Sequence, residues 1–397
     1  MTILQVHNIH LRCSQTSMTD SPARQSPAKP PARKPPHATR VIVGLSGGVD
    51  SAVAALLLRE QGYDVHAVFM KNWDEDDTDN FCPAAQDLAD AEDVSRALDI
   101  PFRTVSFSAE YWDRVFRYFL DEYASGRTPN PDILCNREIK FRAFLDYAHQ
   151  LGADFIATGH YARILQDDDG MHLLKGIDPG KDQTYFLYAL EQWQLAGSLF
   201  PLGLMLKKQV RRLAARAGLA NHSKKDSTGI CFIGERKFSD FLSRYLPARP
   251  GEIRTLDNQT IGTHQGLVFY TIGQRRGLGI GGLKNASSEA WYVVSKDLNE
   301  NTLLVAQGHH HPRLYHHGLR ISRVHWISGM PPPMPLRCDA RIRHQMRVQA
   351  CTVHSSGKDE CEVRFSQPQW AISPGQSVVF YQGDECLGGG VIDTPLP

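Results

Sequence analysis

Short apolar runs alternate with helix-periodic segments in the first half of the chain. The runs, which predict buried strands, fall at residues 41–45, 65–70, 102–107 and 155–158. Between the first two runs, residues 52–61 are apolar nearly all round, as expected of a helix packed on a sheet. Apolar positions at helical spacing predict a second helix over 141–151, after a cap at Asn136, and a third over 210–217. This alternation predicts an α/β domain with a parallel sheet that extends to about residue 220.

The pattern changes beyond about residue 240 to glycine-rich turns and short β-type segments. Residues 291–294 and 302–306 flank a Lys-Asp-Leu-Asn-Glu-Asn turn and predict a hairpin. Alternating positions at 340–344 and 361–365 predict further strands, the first with Arg341 and Arg343 on its polar face. The Ser-Ser-Gly-Lys and Gln-Gly-Asp turns between short strands predict a small β-barrel or sandwich at the C-terminal end.

Length and composition limit the classes of protein that fit this pattern. The 397 residues are two to three times a typical domain of about 150 residues, and 42% are hydrophobic. No apolar run approaches the roughly 18 residues that a membrane span needs. Residues 21–40 are rich in Pro, Ser, Ala, Lys and Arg and predict a disordered tail. The eight cysteines show no framework spacing, and with no secretory signal in residues 1–40 we expect a reducing cytoplasm.

The net charge of +1 conceals a strong asymmetry along the chain. Residues 1–40 carry a net charge of +5 and residues 41–199 a net charge of −14. Residues 200–350 carry +14, and residues 351–397 carry −4. A basic excess sustained over so long a segment favours contact with a polyanion, and we expect nucleic acid to bind there.

A glycine-rich segment lies between the first predicted strand and the first predicted helix. It reads Gly44-Leu45-Ser46-Gly47-Gly48-Val49-Asp50-Ser51. Paired glycines let the backbone approach an anion closely, and the helix N-terminus adds amide donors and a favourable dipole. The Gly-Lys-Ser/Thr ending of a Walker A loop is absent. The segment resembles the pyrophosphatase loop of the PP-loop superfamily, whose members activate a carbonyl oxygen by adenylation.

Two cysteines lie in surroundings that favour thiol chemistry. Cys135 directly precedes the predicted second helix, and a helix N-terminus stabilises a thiolate. Asp132 is close enough in sequence to act as a base. Cys231 lies in the turn-like segment Asp-Ser-Thr-Gly-Ile-Cys-Phe, which predicts an accessible thiol. The cysteines of the β-rich end are interpreted as small buried hydrophobes, and no pair has a zinc-ligand spacing, so we expect no metal site.

Several motifs taken together resemble the bacterial tRNA-specific 2-thiouridylase family. The resemblance covers about residues 40–397 and rests on the glycine-rich loop, Asn-Pro-Asp-Ile-Leu-Cys-Asn at 130–136 and the Cys231 segment. It continues through Phe-Met-Lys-Asn-Trp at 69–73, Ala-Thr-Gly-His-Tyr-Ala-Arg at 157–163, Lys-Asp-Gln-Thr-Tyr-Phe-Leu at 181–187 and Gly-Gln-Arg-Arg-Gly-Leu-Gly at 273–279. The fold it implies is a PP-loop catalytic domain over 40–235, a small central domain over 236–308 and a C-terminal β-barrel over 309–397, after a tail over 1–39.

The resemblance also implies roles for individual positions. ATP would contact the loop residues 44–51 together with Met70 and Gly159. The target base would contact Asn130, Pro131 and Asp132. Other tRNA-contacting positions would be His160, Lys181, Asp182, Gln183, Arg343, His344 and Gln376. Cys135 would be the nucleophile and Cys231 the persulfide carrier. The family often has tyrosine at the position where this sequence has His344.

The activity implied is ATP-dependent replacement of the C2 oxygen of the wobble uridine by sulfur. Transfer of AMP turns the oxygen into a good leaving group, and sulfur then attacks C2, with Asp132 as candidate general base. The sulfur either comes directly from the Cys231 persulfide or is released when Cys135 attacks, which leaves a transient Cys135–Cys231 disulfide. ATP with Mg²⁺ is expected, and the expected partners are the tRNAs for Lys, Glu and Gln and a sulfur-relay protein or cysteine desulfurase.

Two other classes of function remain open on the sequence. Another PP-loop enzyme, such as a tRNA lysidine synthetase or an amidating synthetase, would use the same adenylation but would need no thiols at Cys135 and Cys231. A nucleotide-sensing or RNA-binding protein without enzymatic activity would bind ATP and release no pyrophosphate. The requirement for the thiols and for pyrophosphate release separates these hypotheses.

Overall fold

The structure is a computed structural model that describes residues 34–74, 85–226, 238–280 and 289–397. The strands in these ranges are β1 Arg40–Gly44, β2 Asp64–Lys71, β3 Phe102–Ser106, β4 Phe155–Ala157, β5 Ala162–Asp167, β6 Gly170–Lys175, β7 Ser198–Leu199, β8 Gly251–Thr255, β9 Thr260–His264, β10 Trp291–Asp297, β11 Thr302–Gln307, β12 Tyr315–Trp326, β13 Leu336–Arg341, β14 Gln349–Gly357, β15 Glu360–Trp370, β16 Ser377–Gln382 and β17 Glu385–Leu396. The α-helices are α1 Val49–Glu60, α2 Ala85–Ala97, α3 Ser108–Tyr111, α4 Arg117–Ala124, α5 Pro131–Leu134, α6 Phe144–Gln150, α7 Thr184–Leu187, α8 Gln192–Ala196, α9 Lys207–Arg216 and α10 Phe238–Leu242. None of the described helices is long and apolar enough to cross a membrane.

A parallel sheet forms the N-terminal layer, with strand order β3-β2-β1-β4-β7 in the described residues. Every neighbouring pair in this sheet is parallel, as the alternation of strands and helices predicts. Helix α1 packs on the sheet, and its residues from Ala52 to Leu58 are all buried. The predicted α/β fold is confirmed, and the carboxyl ends of β1, β2 and β4 lie side by side at one edge.

Helical structure begins earlier than predicted in the segment that carries Cys135. It starts at Pro131, where the fixed φ of proline suits the first helical position, and the Asn130 side chain accepts a hydrogen bond from the Asp132 amide at 3.1 Å. The predicted cap at Asn136 is wrong, because Asn136 lies inside the helix and its side chain donates to the Phe186 carbonyl. The middle of the run, residues 135–143, is π-helical, so the 3.6-residue period becomes regular only near its end.

A second sheet forms the central layer, with strand order β10-β11-β8-β9 in the described residues. Strands β10 and β11 pair in antiparallel register, with Trp291 opposite Gln307, which confirms the predicted hairpin. Strand β8 joins β11 in parallel, and Ile253, Val293 and Leu303 are fully buried in the core of this layer.

The C-terminal strands close into an antiparallel barrel, as predicted. The order is β12-β15-β14-β13-β16-β17, and β12 also pairs with β17, which joins the two ends. Apolar side chains such as Leu319, Val363 and Phe380 fill the interior. The predicted strand over 340–344 is wrong beyond Arg341, where β13 ends and the chain turns.

The β5–β6 hairpin extends the sheet of the barrel. Strand β6 pairs with β17, with Leu174 opposite Glu385 and Leu173 opposite Cys386. The Lys175 amide also donates to the Asp384 carbonyl at 2.8 Å. Residues from the segment predicted as the catalytic domain therefore complete the C-terminal sheet.

Candidate active site

The predicted phosphate loop lies between the end of β1 and the start of α1. Gly48 is the N-cap of α1, so the first amide N–H groups of the helix point toward the loop. Gly47 has a φ of +72°, and a Cβ there would lie 2.4 Å from the Asp87 carbonyl oxygen, so a larger residue would displace the backbone. The Ser51 hydroxyl accepts a hydrogen bond from the Ser46 amide at 3.1 Å, which tightens the loop. The loop thus presents backbone donors and the positive end of a helix dipole, which suit a phosphate.

Two further predicted ATP positions adjoin this loop. A Cβ on Gly44 would lie 2.9 Å from the Met70 Cε atom, and one on Gly159 would lie 2.7 Å from the Ser51 amide nitrogen. The predicted ATP positions therefore meet at the carboxyl edge of the parallel sheet, the usual ligand edge of such sheets. Two members of the predicted set have side chains buried in the core and can offer ATP only their backbone: Leu45 and Val49.

An ion-pair network that the sequence analysis did not predict lies beside the loop. The Lys207 ammonium lies 2.7 and 2.8 Å from the two Asp50 carboxylate oxygens and 2.7 Å from Asp226. The Tyr161 hydroxyl donates to Asp50 at 2.8 Å, and the Lys181 ammonium donates to Asp226 at 2.5 Å. Burial acts to raise the pKa of Asp226, but hydrogen bonds from Lys181 and Lys207 outweigh it and lower that pKa to about 2. The network ties the start of the Cys231 segment to the phosphate loop.

The position of Lys207 on its helix is a signal that could have revealed this role. Lys207, Val210 and Ala214 are the buried residues of α9, and their spacing of three and then four residues places them on one face. A lysine on the apolar face of a helix must find a counter-charge, because burying an unpaired ammonium is costly.

The basic segment 200–350 is therefore not a uniform surface for nucleic acid, as the basic residues of α9 show. The Arg211 guanidinium donates to Asp226 at 2.8 Å and to two backbone carbonyl groups, so its charge is used within the protein. Lys208 and Arg212 are exposed and remain candidates for contact with phosphate. A count of charges could not separate Arg211 from Lys208 and Arg212, because it does not show that residues elsewhere in the chain bind the Arg211 guanidinium.

Cys135 lies within the helical run rather than before it, which corrects the predicted location. The prediction that the thiol precedes a helix N-terminus is wrong, because the helical run already begins at Pro131. The Cys135 side chain is buried, with 1% of the residue exposed. Asp132 lies one turn earlier, and burial raises the pKa of its carboxyl group, opposed by the charges of Lys140 and His344. A raised pKa suits a carboxylate that must accept a proton. The π-helical stretch that begins at Cys135 is a backbone form often found at functional sites.

The segment Thr158 to Tyr161 contacts both the phosphate loop and the helical run of Cys135. Gly159 lies against the backbone of Asp50 and Ser51, and Tyr161 donates to the Asp50 carboxylate. The His160 ring lies 5.6 Å from the ring of Phe141, which belongs to the π-helical stretch. Burial, helped by the charge of Lys140, lowers the pKa of His160 well below its usual value, so the imidazole is neutral at pH 7.

The predicted tRNA position Asp182 has a side chain buried within the protein. Its carboxylate accepts hydrogen bonds from the Thr184 hydroxyl at 2.9 Å and from the Arg341 guanidinium at 2.9 Å. Its carbonyl oxygen lies 2.9 Å from the His344 Nε2 atom. The neighbouring Gln183 side chain accepts from the Tyr161 amide at 2.9 Å. Asp182 and Gln183 thus hold other predicted site residues in place.

Arg343 and Gln376 bridge separate layers of the protein. The Arg343 guanidinium donates to the carbonyl groups of Ile272 and Ala371 and stacks over the Trp370 ring at 5.4 Å. The Gln376 amide donates to the Thr128 carbonyl at 2.7 Å. The prediction that Arg341 and Arg343 lie together on the polar face of one strand is wrong, because β13 ends at Arg341 and both side chains make contacts within the protein, whereas Arg347 is exposed.

The Cys231 side chain, predicted as the persulfide carrier, lies outside the described residues, as does the rest of its segment from residue 227 to residue 237. Within the described ranges, no group of three or more His, Cys, Asp or Glu side chains could hold a metal ion. The carboxylate that belongs to the phosphate loop, Asp50, already has both oxygens bonded to Lys207. The described residues therefore do not fit a dedicated metal site.

Comparison with known proteins gives the family. The profile described as "tRNA methyl transferase HUP domain" matches residues 39–235, "tRNA methyl transferase PRC-barrel domain" matches 239–307, and "Aminomethyltransferase beta-barrel domain" matches 316–392. A protein of Methylococcus capsulatus named tRNA-specific 2-thiouridylase MnmA is 61% identical over 360 residues, which cover 90% of this chain and 96% of that protein. The chain belongs to the tRNA-specific 2-thiouridylase family.

Other 2-thiouridylases match over similar lengths. A relative of the same name in Nitrosococcus oceani is 59% identical and covers 89% of this chain and 97% of its own length. One in Proteus mirabilis is 58% identical, with 90% of this chain and 98% of the relative covered. The resemblance inferred from the motifs is confirmed, and the three profiles follow one another in the order of the parallel sheet, the central sheet and the barrel.

Proposed function

We propose that this 2-thiouridylase converts the wobble uridine of tRNA to 2-thiouridine in two steps that share one site. In the first, the uridine O2 attacks the α-phosphate of ATP, and pyrophosphate leaves. In the second, a sulfur nucleophile attacks C2, and AMP departs with the former O2. The products are 2-thiouridine, AMP and pyrophosphate, so each uridine consumes one ATP and one sulfur atom.

The observation that carries this proposal is the double contact of the segment 158–161. Gly159 and Tyr161 contact the phosphate loop, and His160 contacts the helical run that contains Cys135 and Asp132. Adenylation and sulfur transfer act on the same C2–O2 group, so their residues must lie on either side of one base. A four-residue segment between the phosphate loop and the thiol-bearing helix meets that requirement.

The first step uses the loop and its supporting network. Backbone amides of residues 44–51 and the N-terminus of α1 bind the phosphates and stabilise the charge that develops as pyrophosphate leaves. Asp50 does not bind the nucleotide through a free carboxylate, because Lys207 and Tyr161 already hold it. Its role is to fix the start of α1 against Gly159.

The second step uses the two cysteines and Asp132. Cys231 carries the transferable sulfur as a persulfide, and Cys135 attacks its inner sulfur, which forms a Cys135–Cys231 disulfide and releases hydrosulfide next to C2. In the alternative, the outer sulfur of the persulfide attacks C2 directly, and Cys135 then attacks the Cys231 sulfur, which frees the 2-thiouridine and forms the same disulfide. Asp132, with its raised pKa, accepts the proton that the sulfur nucleophile loses. Cys231 follows Asp226 by five residues, a length of chain that spans at most about 18 Å from the network.

The partners follow from the same chemistry. The substrate tRNAs are those for Lys, Glu and Gln, and a sulfur-relay protein or cysteine desulfurase supplies the persulfide. A thiol reductant resets the disulfide when hydrosulfide is released. Mg²⁺ arrives with ATP, where it would neutralise phosphate charge, and no residue described here is assigned to it. The site of action is the cytoplasm.

The test is mass spectrometry of nucleosides from tRNA incubated with the protein, ATP and a persulfide source. The intact protein is expected to produce 2-thiouridine and one pyrophosphate per base. Cys135→Ser and Cys231→Ser are each expected to abolish 2-thiouridine while ATP and tRNA binding survive, because only the path of sulfur is cut. Cys338→Ser is the matched control, since Cys338 lies in the barrel strand β13.

Two outcomes would contradict the proposal. Normal 2-thiouridine from either site mutant would exclude the two-cysteine mechanism. Pyrophosphate release without any thiolated nucleoside, with sulfur source present, would point to an adenylating enzyme of another kind.

A further inference from the structure

A cavity of about 230 Å³ lies between the helical run 108–124, the helix that carries Cys135 and the barrel. Arg114 and Tyr118 line it from residues 108–124, a run made of α3, a π-helical turn and α4. Leu134 and Arg137 line it from the helix of Cys135, and Arg323 lines it from β12. Of the residues that line it, only Asn130 is also a predicted contact of the target base.

Arginine side chains give the lining of the cavity a positive charge. Arg114, Arg137 and Arg323 line it, and none of the described lining residues is Asp or Glu. Arg114 makes no ion pair with any residue that the structure describes. Arg137 lies 3.4 Å from Glu138 and 3.4 Å from Glu191, and Arg323 lies 3.6 Å from Glu122. Guanidinium groups that are only partly paired within the protein favour a phosphate, which they can bind through paired N–H donors.

The backbone at Arg323 is held in an unusual form that aims its side chain. Its φ is +52°, a left-handed conformation that costs a non-glycine residue free energy. It lies where the pairing register of β12 with β17 shifts between Ser322 and His325, and such bulges redirect side chains. The guanidinium stacks over the Tyr118 ring at 4.8 Å, so an arginine and an aromatic ring line the same cavity side by side.

The cavity lies on the far face of the helix that bears the reactive residues. Asn130, Ile133, Leu134 and Arg137 line it, and their spacing of three, four and seven residues defines one helical face. Asp132 falls within the same turn of helix, whose pitch is only about 5 Å. A strand that presents its base to Asp132 therefore passes within reach of the cavity at the Asn130 end.

We propose that this cavity binds a nucleotide of the anticodon loop next to the target uridine, with its phosphate among the three arginines and its base beside Tyr118. Aromatic and arginine side chains together are the usual means of holding an unpaired RNA base and its backbone. The inference rests on the proposed function, because it identifies the strand as tRNA. It assigns the cavity a role in holding the loop open while the uridine lies in the reactive site.

The test measures binding of an anticodon stem-loop RNA to the full chain as a function of salt. Arg114→Met and Arg323→Asn are combined, asparagine being chosen because it tolerates a left-handed backbone. Arg117→Met is the control, since Arg117 is exposed on the same helix, faces Asp113 and does not line the cavity. The double variant is expected to bind about tenfold more weakly with a salt slope lower by about one, because one phosphate contact is lost, and the control to bind as the native protein does.

A second arm separates an RNA phosphate from a free nucleotide. A stem-loop in which one phosphate next to the uridine is a neutral methylphosphonate should bind the native protein more weakly. The double variant should bind the modified and the unmodified stem-loop equally well, because its contact with that phosphate is already lost. Arg114→Met alone, at an exposed residue, repeats the comparison if the double variant is poorly folded.

Each outcome decides the proposal. An unchanged affinity and salt slope would overturn it, and so would a raised KM for ATP with unchanged RNA binding, which would make the cavity a free-nucleotide site. Thiolation at saturating RNA is measured in parallel. If the arginine variants and the methylphosphonate affect RNA binding as expected but no 2-thiouridine forms, the cavity proposal stands and the proposed function is rejected. If 2-thiouridine forms but the arginine variants bind RNA normally, the proposed function stands and the cavity proposal is rejected.

Discussion

Replacing Lys207 by methionine tests whether the network beside the phosphate loop is needed for adenylation. Methionine keeps the length and much of the volume of the side chain but removes the ammonium that lies 2.7 Å from both Asp50 and Asp226. The two carboxylates then lose their shared counter-charge, and the Cys231 segment loses one of its ties to the loop. Lys208→Met is the matched control, because Lys208 is the next residue on α9 and is exposed.

The expected loss of stability follows from the burial of the three groups. Removing one partner of a fully buried ion pair costs roughly 3–5 kcal/mol. The Lys207 side chain is 11% exposed, but Asp50 and Asp226 are each 31% exposed, so water screens part of the unpaired charge. We therefore expect a loss of about 2 kcal/mol, and a change within about 0.5 kcal/mol for the exposed control.

The assays are thermal unfolding and pyrophosphate release in the presence of tRNA. The Lys207→Met protein should unfold on the order of 5 °C lower than the native protein. Its rate of pyrophosphate release should fall at least tenfold, because Asp50 no longer holds the start of α1 against Gly159. Lys207→Arg, which keeps the charge, should recover part of both losses.

Two results would refute this reasoning. Equal unfolding temperatures for the Lys207→Met and Lys208→Met proteins would show that the ion pairs of Lys207 stabilise the fold no more than the surface contacts of Lys208 do. A normal rate of pyrophosphate release from a destabilised Lys207→Met protein would show that the network supports the fold but has no part in adenylation.

Two further predictions concern pH and the tRNA surface. Because the pKa of Asp132 is raised by burial and its ionised form is the base, the thiolation rate should fall as pH drops through that raised pKa. Asp132→Asn should lower the rate and remove this limb of a pH–rate profile. Neutralising the exposed pair Lys208 and Arg212 should weaken tRNA binding and lower its salt slope by about two, with the KM for ATP unchanged. A filter-binding titration at several salt concentrations checks this, and an unchanged slope would show that the exposed face of α9 is merely solvated.

Sequence reasoning predicted those parts of the fold in which local pattern and tertiary contact agree. The strands β1 and β2 are continuous apolar runs because both faces of the parallel sheet are covered, and α1 is apolar nearly all round for the same reason. The hairpin of β10 and β11 was predicted from its turn residues. The phosphate loop was identified because its glycines are required locally, as the positive φ of Gly47 shows.

The remaining errors came from partners that are distant along the chain. Lys207 pairs with Asp50 across 157 positions, and Arg341 pairs with Asp182 across 159. No local window contains both members of either pair, so a count of charges assigned Lys207 and Arg341 to the nucleic-acid-binding surface. The prediction of a cap at Asn136 was wrong for a different reason. The π-helical stretch changes the spacing of apolar residues, which is the pattern used to find where a helix starts.

The pairing of β6 with β17 has a consequence for synthesis on the ribosome. The hairpin of β5 and β6 emerges about 200 residues before its partner strand, because Leu174 lies opposite Glu385. Until β17 has been synthesised, the outer edge of β6 offers unpaired backbone groups, and such edges promote aggregation of nascent chains. A chain truncated before β17 would keep that edge permanently open. Loss of this strand should therefore make the whole chain insoluble, and not only unfold the barrel.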